Sequence, residues 1–140
     1  MTDNLDSHPL RPIGIVRSPL KARNAAPNQG GEGAPDAWIE LMPSVQDGLD
    51  RIEPGDKLIV ITWLHEFRRD VLKTHPRGDT SAPLTGVFAT RSPDRPNPLG
   101  SHPVTVLEIV GRELKVGPLE AIDGTPVVDI KPVLRASPDW

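Results

Sequence analysis

Seventeen prolines are spread along this 140-residue chain, from Pro9 to Pro138. Proline fixes φ and carries no backbone N–H, so it breaks helix interiors and the centres of sheets alike. A helical bundle is therefore excluded. With the twelve glycines, prolines make up 29 of 140 residues, about 21%. Average usage is roughly 12%, and structureless chains usually exceed about 25–30%. The chain reads as rich in turns but folded. Its length suits one domain, residues 12–140, behind a loose polar tail over residues 1–11.

Composition narrows the function classes. The apolar share is 36%, and no stretch approaches the roughly 18 apolar residues of a spanning helix. No membrane role is expected. The opening MTDNLDSHPLRP lacks a basic-then-apolar export pattern. There is no cysteine, which removes disulfides, thiolate nucleophiles and cysteine-based zinc sites. A cytoplasmic location is the expectation. Net charge is −3, which is not the footprint of a wide nucleic-acid-binding face, although a local basic patch is compatible with it.

Short β-branched runs between turn signals predict strands at residues 12–17 (PIGIVR), 37–41 (AWIEL), 57–64 (KLIVITWL), 84–90 (LTGVFAT), 103–110 (PVTVLEIV), 113–116 (ELKV) and 125–134 (TPVVDIKPVL). The run at 57–64 is nearly continuous in apolar residues and should be central, buried on both faces. In the last run, alternation puts Val128, Ile130 and Leu134 on one face and Asp129 and Lys131 on the other. Ser44 with Asp47 resembles a capping box opening a short helix, with Val45, Leu49 and Ile52 at helical spacing. Glu53-Pro54-Gly55-Asp56 reads as a type II turn, and Gly111-Arg112 as a tight hairpin. Residues 18–35, 65–83 and 91–100 read as long connections; the last, with three prolines in ten residues, is expected to be irregular. The fold class is mainly β: an antiparallel barrel or sandwich of six to eight short strands with one or two short helices. No strand–GxGxxG–helix unit is present, so no Rossmann-type site is expected.

The four histidines, His8, His65, His75 and His102, have no metal-ligand spacing, and no GxSxG elbow appears. The expectation is no metal site, with the histidines solvated or hydrogen-bonded. The segment Arg91-Ser92-Pro93-Asp94-Arg95-Pro96-Asn97-Pro98-Leu99-Gly100 is more informative. Proline stiffness holds Arg91, Arg95 and Asn97 in place with little entropy to lose, which suits recognition of a polar ligand. The alternative is a stiff surface crossover with its arginines in water. Asp123 in Ile122-Asp123-Gly124-Thr125-Pro126 could accept from a ligand ammonium or hydroxyl, or simply stand in a hairpin turn. Trp63-Leu64-His65-Glu66 at a strand exit and Pro27-Asn28-Gln29-Gly30-Gly31 in a loop complete the candidates.

Three stretches carry a family resemblance. Residues 86–100 (GVFATRSPDRPNPLG), 123–132 (DGTPVVDIKP) and 12–19 (PIGIVRSP) resemble, in order, the signature loop, the second signature and the first strand of the TsaA-like, TrmO-type proteins. These are S-adenosylmethionine-dependent methyltransferases built on a β-barrel. The resemblance runs from about Pro12 to Leu134. It implies S-adenosyl-L-methionine as cofactor, held by Pro27, Asn28, Gln29, His65, Glu66, Arg91, Ser101, Ile122, Asp123, Gly124 and Thr125. Asn28 and Glu66 depart from the residues usual there.

The implied reaction is N6-methylation of threonylcarbamoyl-adenosine beside the tRNA anticodon, without metal, by a homodimer whose site lies near the subunit interface. In this reading Arg91 orients the methionyl carboxylate, Asp123 accepts from amino or ribose groups, and Gln29 contacts adenine or ribose. No catalytic base is assigned; Asp129 and His65 are candidates. Arg68, Arg69, Lys73, Arg77, Arg95 and Asn97 are the candidates for meeting substrate RNA. Longer members carry a further C-terminal domain implicated in handling tRNA, so the core activity is the firmer expectation. The alternatives are a different RNA or small-molecule substrate, or a non-catalytic S-adenosylmethionine-binding regulatory module.

Overall fold

The computed structural model describes residues 6–21 and 33–134. Six antiparallel strands close into a barrel in the order β1 (Gly14–Arg17), β2 (Ala37–Leu41), β7 (Glu113–Gly117), β6 (Leu99–Val110), β3 (Lys57–Trp63) and β8 (Pro126–Pro132), which returns to β1. Two further strands, β4 (Lys73–Thr74) and β5 (Thr85–Gly86), make a small separate sheet in the connection between β3 and β6. Closure leaves none of the six strands with an unpaired edge.

Alternation fills the barrel. Val16, Ile39, Leu58, Val60, Val104, Val106, Leu114, Val116 and Val127 point inward and are fully or almost fully buried. Leu119 and Ala121, from the connection between β7 and β8, join the same core. The run at 57–64 forms β3, paired with β6 and β8; in a closed barrel no strand is central, and while Leu58, Ile59 and Val60 are buried, Ile61 and Trp63 on the outer face are half-buried.

Four local expectations are revised. The helix expected from Ser44 is a 3-10 helix over Pro43–Leu49, and no side chain caps it. Its proline falls in the first turn, and Val45, Leu49 and Ile52 still pack against the core. The strand expected at 84–90 shrinks to Thr85–Gly86 and passes into a 3-10 turn at Val87–Ala89, with Val87 as its buried anchor. Leu99 and Gly100, expected in the irregular proline loop, already belong to β6, paired with Trp63 and Thr62. In β8 a bulge opposite Ile61 and Thr62 shifts the register, so Val127 and Ile130 face the core and Val128 does not. A bulge inserts one residue and inverts the alternation beyond it. Leu134 is exposed.

Both turn readings hold. Asp56 donates its N–H to the Glu53 carbonyl at 3.1 Å, closing the turn before β3. Val110 pairs with Glu113 across Gly111-Arg112, a two-residue hairpin.

Candidate cofactor site

Strand direction decides where the long connections lie. Because every neighbouring pair is antiparallel, the exits of β1, β7 and β3 and the entrances of β2, β6 and β8 share one end of the barrel. Residues 18–21, 33–36, 64–98 and 118–125 therefore lie at the same mouth. Every described candidate from the sequence belongs to these connections or to the strand residues beside them, except Asp129. That carboxylate lies further along β8, half exposed, taking the Ile130 amide at 2.9 Å. Pro27, Asn28 and Gln29 lie outside the described residues.

The proline loop is rigid because a second segment supplies its donors. Pro93, Pro96 and Pro98 have no N–H, so their stretch cannot build a ladder of its own. Arg69 Nε donates to the Pro96 carbonyl at 2.7 Å, and its terminal nitrogen donates to Asn97 Oδ1 at 3.0 Å. The same guanidinium stands 5.1 Å from the centre of the Trp63 ring, a cation–π distance. Leu64 donates to the Pro98 carbonyl at 2.8 Å, Arg68 N–H to Asp94 Oδ1 at 2.8 Å, and Arg95 N–H to the Arg68 carbonyl at 3.0 Å. The connection after β3 is thus zipped to residues 94–98.

The two loop arginines do different things. Arg95 folds back, donating to the carbonyls of Thr90 and Ser92, both at 3.1 Å. Arg91 is exposed and donates to the Ser101 carbonyl at 3.2 Å, which places its guanidinium over the entrance of β6. His65 and Glu66 are exposed just beyond the exit of β3.

The Asp123 turn is not a hairpin. It joins β7 to β8, which are not neighbours, and is fastened to the exit of β1. Asp123 N–H donates to the Leu20 carbonyl at 2.6 Å and Gly124 N–H to the Val16 carbonyl at 2.7 Å. Gly124 has φ +85°, which a side chain would strain. The Thr125 hydroxyl, buried, donates to the Ile122 carbonyl at 2.7 Å. Asp123 Oδ1 accepts the Ser18 amide at 2.9 Å, and Oδ2 lies 3.1 Å from Lys21 Nζ. The Ser18 amide first, and Lys21 second, hold this carboxyl below its ordinary range.

The basic run is partly neutralised from within. Arg68 makes two hydrogen bonds to Asp70, at 3.0 and 2.9 Å, which hold the Asp70 carboxyl low. Lys73 and Arg77 are exposed on and after β4. His75 is half-buried, its Nδ1 2.9 Å from the Ala82 carbonyl. Among the described residues no three His, Asp or Glu side chains come together as a metal site, and no helix is long and apolar enough to cross a membrane.

One group escaped the sequence reading. His102 sits inside the mouth, between Thr62 and Glu120. The sequence carries the signal: alternation from Leu99 puts Gly100 and His102 inside with Val104 and Val106.

The sequence matches the tRNA-methyltransferase O N-terminal domain family, TrmO_N, over residues 15–138. The chain belongs to this family. A probable S-adenosyl-L-methionine-binding protein of Methanothermobacter thermautotrophicus is 45% identical over 123 residues, 88% of either chain. An S-adenosyl-L-methionine-binding protein of Archaeoglobus fulgidus is 45% identical over 122 residues, 87% of this chain and 86% of the relative. A longer A. fulgidus protein, again named as a probable S-adenosyl-L-methionine-binding protein, is 50% identical over 123 residues, but only 33% of it is covered. The crystal structure of TrmO from Pseudomonas aeruginosa matches with a TM-score of 0.73 at 28% identity, covering 96% of this chain and 61% of that one. This TrmO_N chain thus spans a third of one relative and about three fifths of that TrmO structure.

Proposed function

We propose that this chain binds S-adenosyl-L-methionine at the loop-bearing mouth of the barrel and transfers its methyl group to RNA, at N6 of threonylcarbamoyl-adenosine beside the tRNA anticodon. The observation that carries this reading is the meeting of Arg91, Ser101, Asp123 and His65 segments at one barrel end, in a chain whose family is the N-terminal domain of a tRNA methyltransferase. The donor set fits the cofactor. An exposed guanidinium at Arg91 suits a carboxylate, and the Asp123 carboxylate, about one third exposed, is kept ionised to accept from ammonium or hydroxyl groups.

When bound, S-adenosylmethionine supplies an electrophilic methyl group open to in-line displacement by a nitrogen lone pair. The protein's contribution is then alignment, which is worth most when the binding groups move least. Arg91 is carried by a loop whose other polar groups are already committed to Arg69, Arg68 and Leu64. Asp123 is held between Ser18 and Lys21, so its oxygens keep their direction without a ligand. In this reading the exposed Arg68, Lys73 and Arg77 of the connection after β3 would meet RNA, while Arg69, Arg95 and Asn97, bonded within the loop, hold its shape. A homodimer belongs to this reading. Its candidate contact is the neighbourhood of the β4–β5 sheet, where Leu72, Leu84 and Phe88, the last 82% exposed, flank the strands.

A second reading, binding without turnover, is favoured by the names of the two relatives of similar length. The deciding experiment is calorimetry with S-adenosylmethionine in the presence of a chelator, followed by transfer of a labelled methyl group to threonylcarbamoylated tRNA. Binding with label in the tRNA supports methyl transfer. Binding with no label in any such tRNA supports the binding module. Absence of binding, or its loss on chelation, overturns the metal-free cofactor reading.

A further inference from the structure

Among the described residues four polar ones are buried: Ser18, Thr62, His102 and Thr125. Ser18 and Thr125 belong to the Asp123 turn. The other two meet inside the mouth. Thr62 Oγ1 lies 2.6 Å from His102 Nε2, and His102 Nδ1 lies 2.6 Å from Glu120 Oε1. With its hydrogen on Nδ1, the ring donates to Glu120 and accepts the Thr62 hydroxyl, so one arrangement serves both hydrogen bonds. Glu120 keeps 16% of its side chain exposed, and its buried Oε2 has no hydrogen-bond partner among the described residues.

Stability does not account for this chain of groups. A carboxylate largely withdrawn from water needs its lone pairs met, and here one oxygen is unmatched among the described residues. Hydrogen-bonded polar partners replaced together by apolar side chains of similar shape can leave stability nearly unchanged.

Location gives a better account. Thr62 is the last inward residue of β3, next to Trp63 and three residues before His65. His102 follows Ser101, whose carbonyl takes Arg91. Glu120 stands three residues before Asp123. One imidazole therefore ties together the three described segments that carry candidate cofactor residues. The backbone is shaped around it. A Cβ on Gly100 would fall 2.5 Å from both His102 Nε2 and Thr62 Oγ1, so only glycine leaves room for the pair. The β8 bulge sits opposite Thr62, and bulges recur beside functional sites.

We propose that His102, held between Thr62 and Glu120, is a positioning residue that sets the relative placement of the β3 exit, the β6 entrance and the segment leading into the Asp123 turn. Its effect on ligand rests on the S-adenosylmethionine reading above; its effect on the three segments does not.

The test compares wild type, Glu120→Gln and the double variant His102→Leu/Glu120→Met by thermal unfolding, amide hydrogen exchange of the free protein and S-adenosylmethionine calorimetry. The double variant leaves the buried Thr62 hydroxyl without its imidazole partner, so it should unfold below the wild-type temperature by no more than the loss of one buried hydrogen bond. Its Leu64, Asp123 and Gly124 amides should exchange at least about ten-fold faster while the amides of β2 and β7 are unchanged. S-adenosylmethionine affinity should fall at least about ten-fold. Glu120→Gln, which keeps an acceptor for Nδ1–H, should stay within about three-fold of wild type on both counts. Wild-type exchange at the three amides in the double variant overturns the proposal, as does a uniform loss of protection in step with the unfolding temperature. If the double variant does not fold, Thr62→Val decides: faster exchange at Leu64 with weaker binding supports positioning, and no change in either overturns it. If wild type does not bind S-adenosylmethionine, the cofactor reading fails, and the exchange pattern alone decides the claim about His102.

Discussion

Ser18 and Asp123 stand 105 residues apart in sequence, and the Ser18 amide donates to Asp123 Oδ1 at 2.9 Å. That bond fastens the exit of β1 to the turn before β8, at the loop-bearing end of the barrel. Replacing Asp123 by alanine removes an acceptor that the Ser18 amide needs and a ligand acceptor at once. S-adenosylmethionine affinity should fall by about 10- to 100-fold, as for loss of a hydrogen bond to a charged group. Calorimetry on Asp123→Ala, beside Asp123→Asn, measures it; the asparagine variant should keep the Ser18 bond and lose the charge.

The same carboxyl predicts a pH dependence. Its pKa lies below the ordinary 3.8 because the Ser18 amide, then Lys21, favour the ionised form. A depressed acid stabilises the fold fully above its unfolded-state pKa, and that contribution is lost as pH falls through the lower, folded value. The stability difference between wild type and Asp123→Asn should therefore be constant near neutrality and shrink below about pH 4. Denaturant unfolding over this range tests the sign; a gap that widens in acid would contradict it.

Arg91 and Arg95, four residues apart, should separate cleanly. Arg95→Ala strips donors from the Thr90 and Ser92 carbonyls and should cost about 1–3 kcal/mol of stability. Arg91→Ala removes an exposed side chain and should change stability by no more than about 0.5 kcal/mol, yet weaken S-adenosylmethionine binding about ten-fold or more. Thermal unfolding and calorimetry on the two variants give the comparison.

Gly100→Ala should be among the more damaging single-methyl additions. The new Cβ would meet Thr62 Oγ1 and His102 Nε2, which are hydrogen-bonded to one another and have little freedom to withdraw. Overpacking of this kind costs about 1–3 kcal/mol. Thermal unfolding should show a smaller loss when Gly100→Ala is made in a Thr62→Ala background.

If tRNA is the partner, Arg68 should respond in two directions. Arg68→Ala should flatten the log–log salt dependence of tRNA binding by roughly 0.7–0.9, because one phosphate is no longer neutralised. Asp70→Asn removes the carboxylate that now holds Arg68 and should tighten tRNA binding at low salt. Filter binding at two salt concentrations reads both variants; an unchanged slope for Arg68→Ala would move the RNA surface elsewhere.

Much is legible in the sequence alone. Proline and glycine placement excluded a helical bundle, alternation located the strands, and Gly55 and Gly111 marked turns that stand where expected. The signature segments at 86–100 and 123–132 are local strings, so their family could be read from order alone. The misreadings share one physical cause. A strand's inward face is set by pairing with its neighbours, and a bulge created by that pairing turned Val127 into the core in place of Val128. Leu99 and Gly100 looked like the end of a proline loop because their strand character comes from Trp63 and Thr62 across the sheet. Arg95 and Arg91 are the same residue type in the same loop, and only the carbonyls folded around each distinguish a structural arginine from an exposed one. His102 was one of four scattered histidines in the sequence. Barrel closure brings Thr62, His102 and Glu120 within hydrogen-bonding distance, and no local pattern encodes a meeting made across 40 and 18 residues of chain.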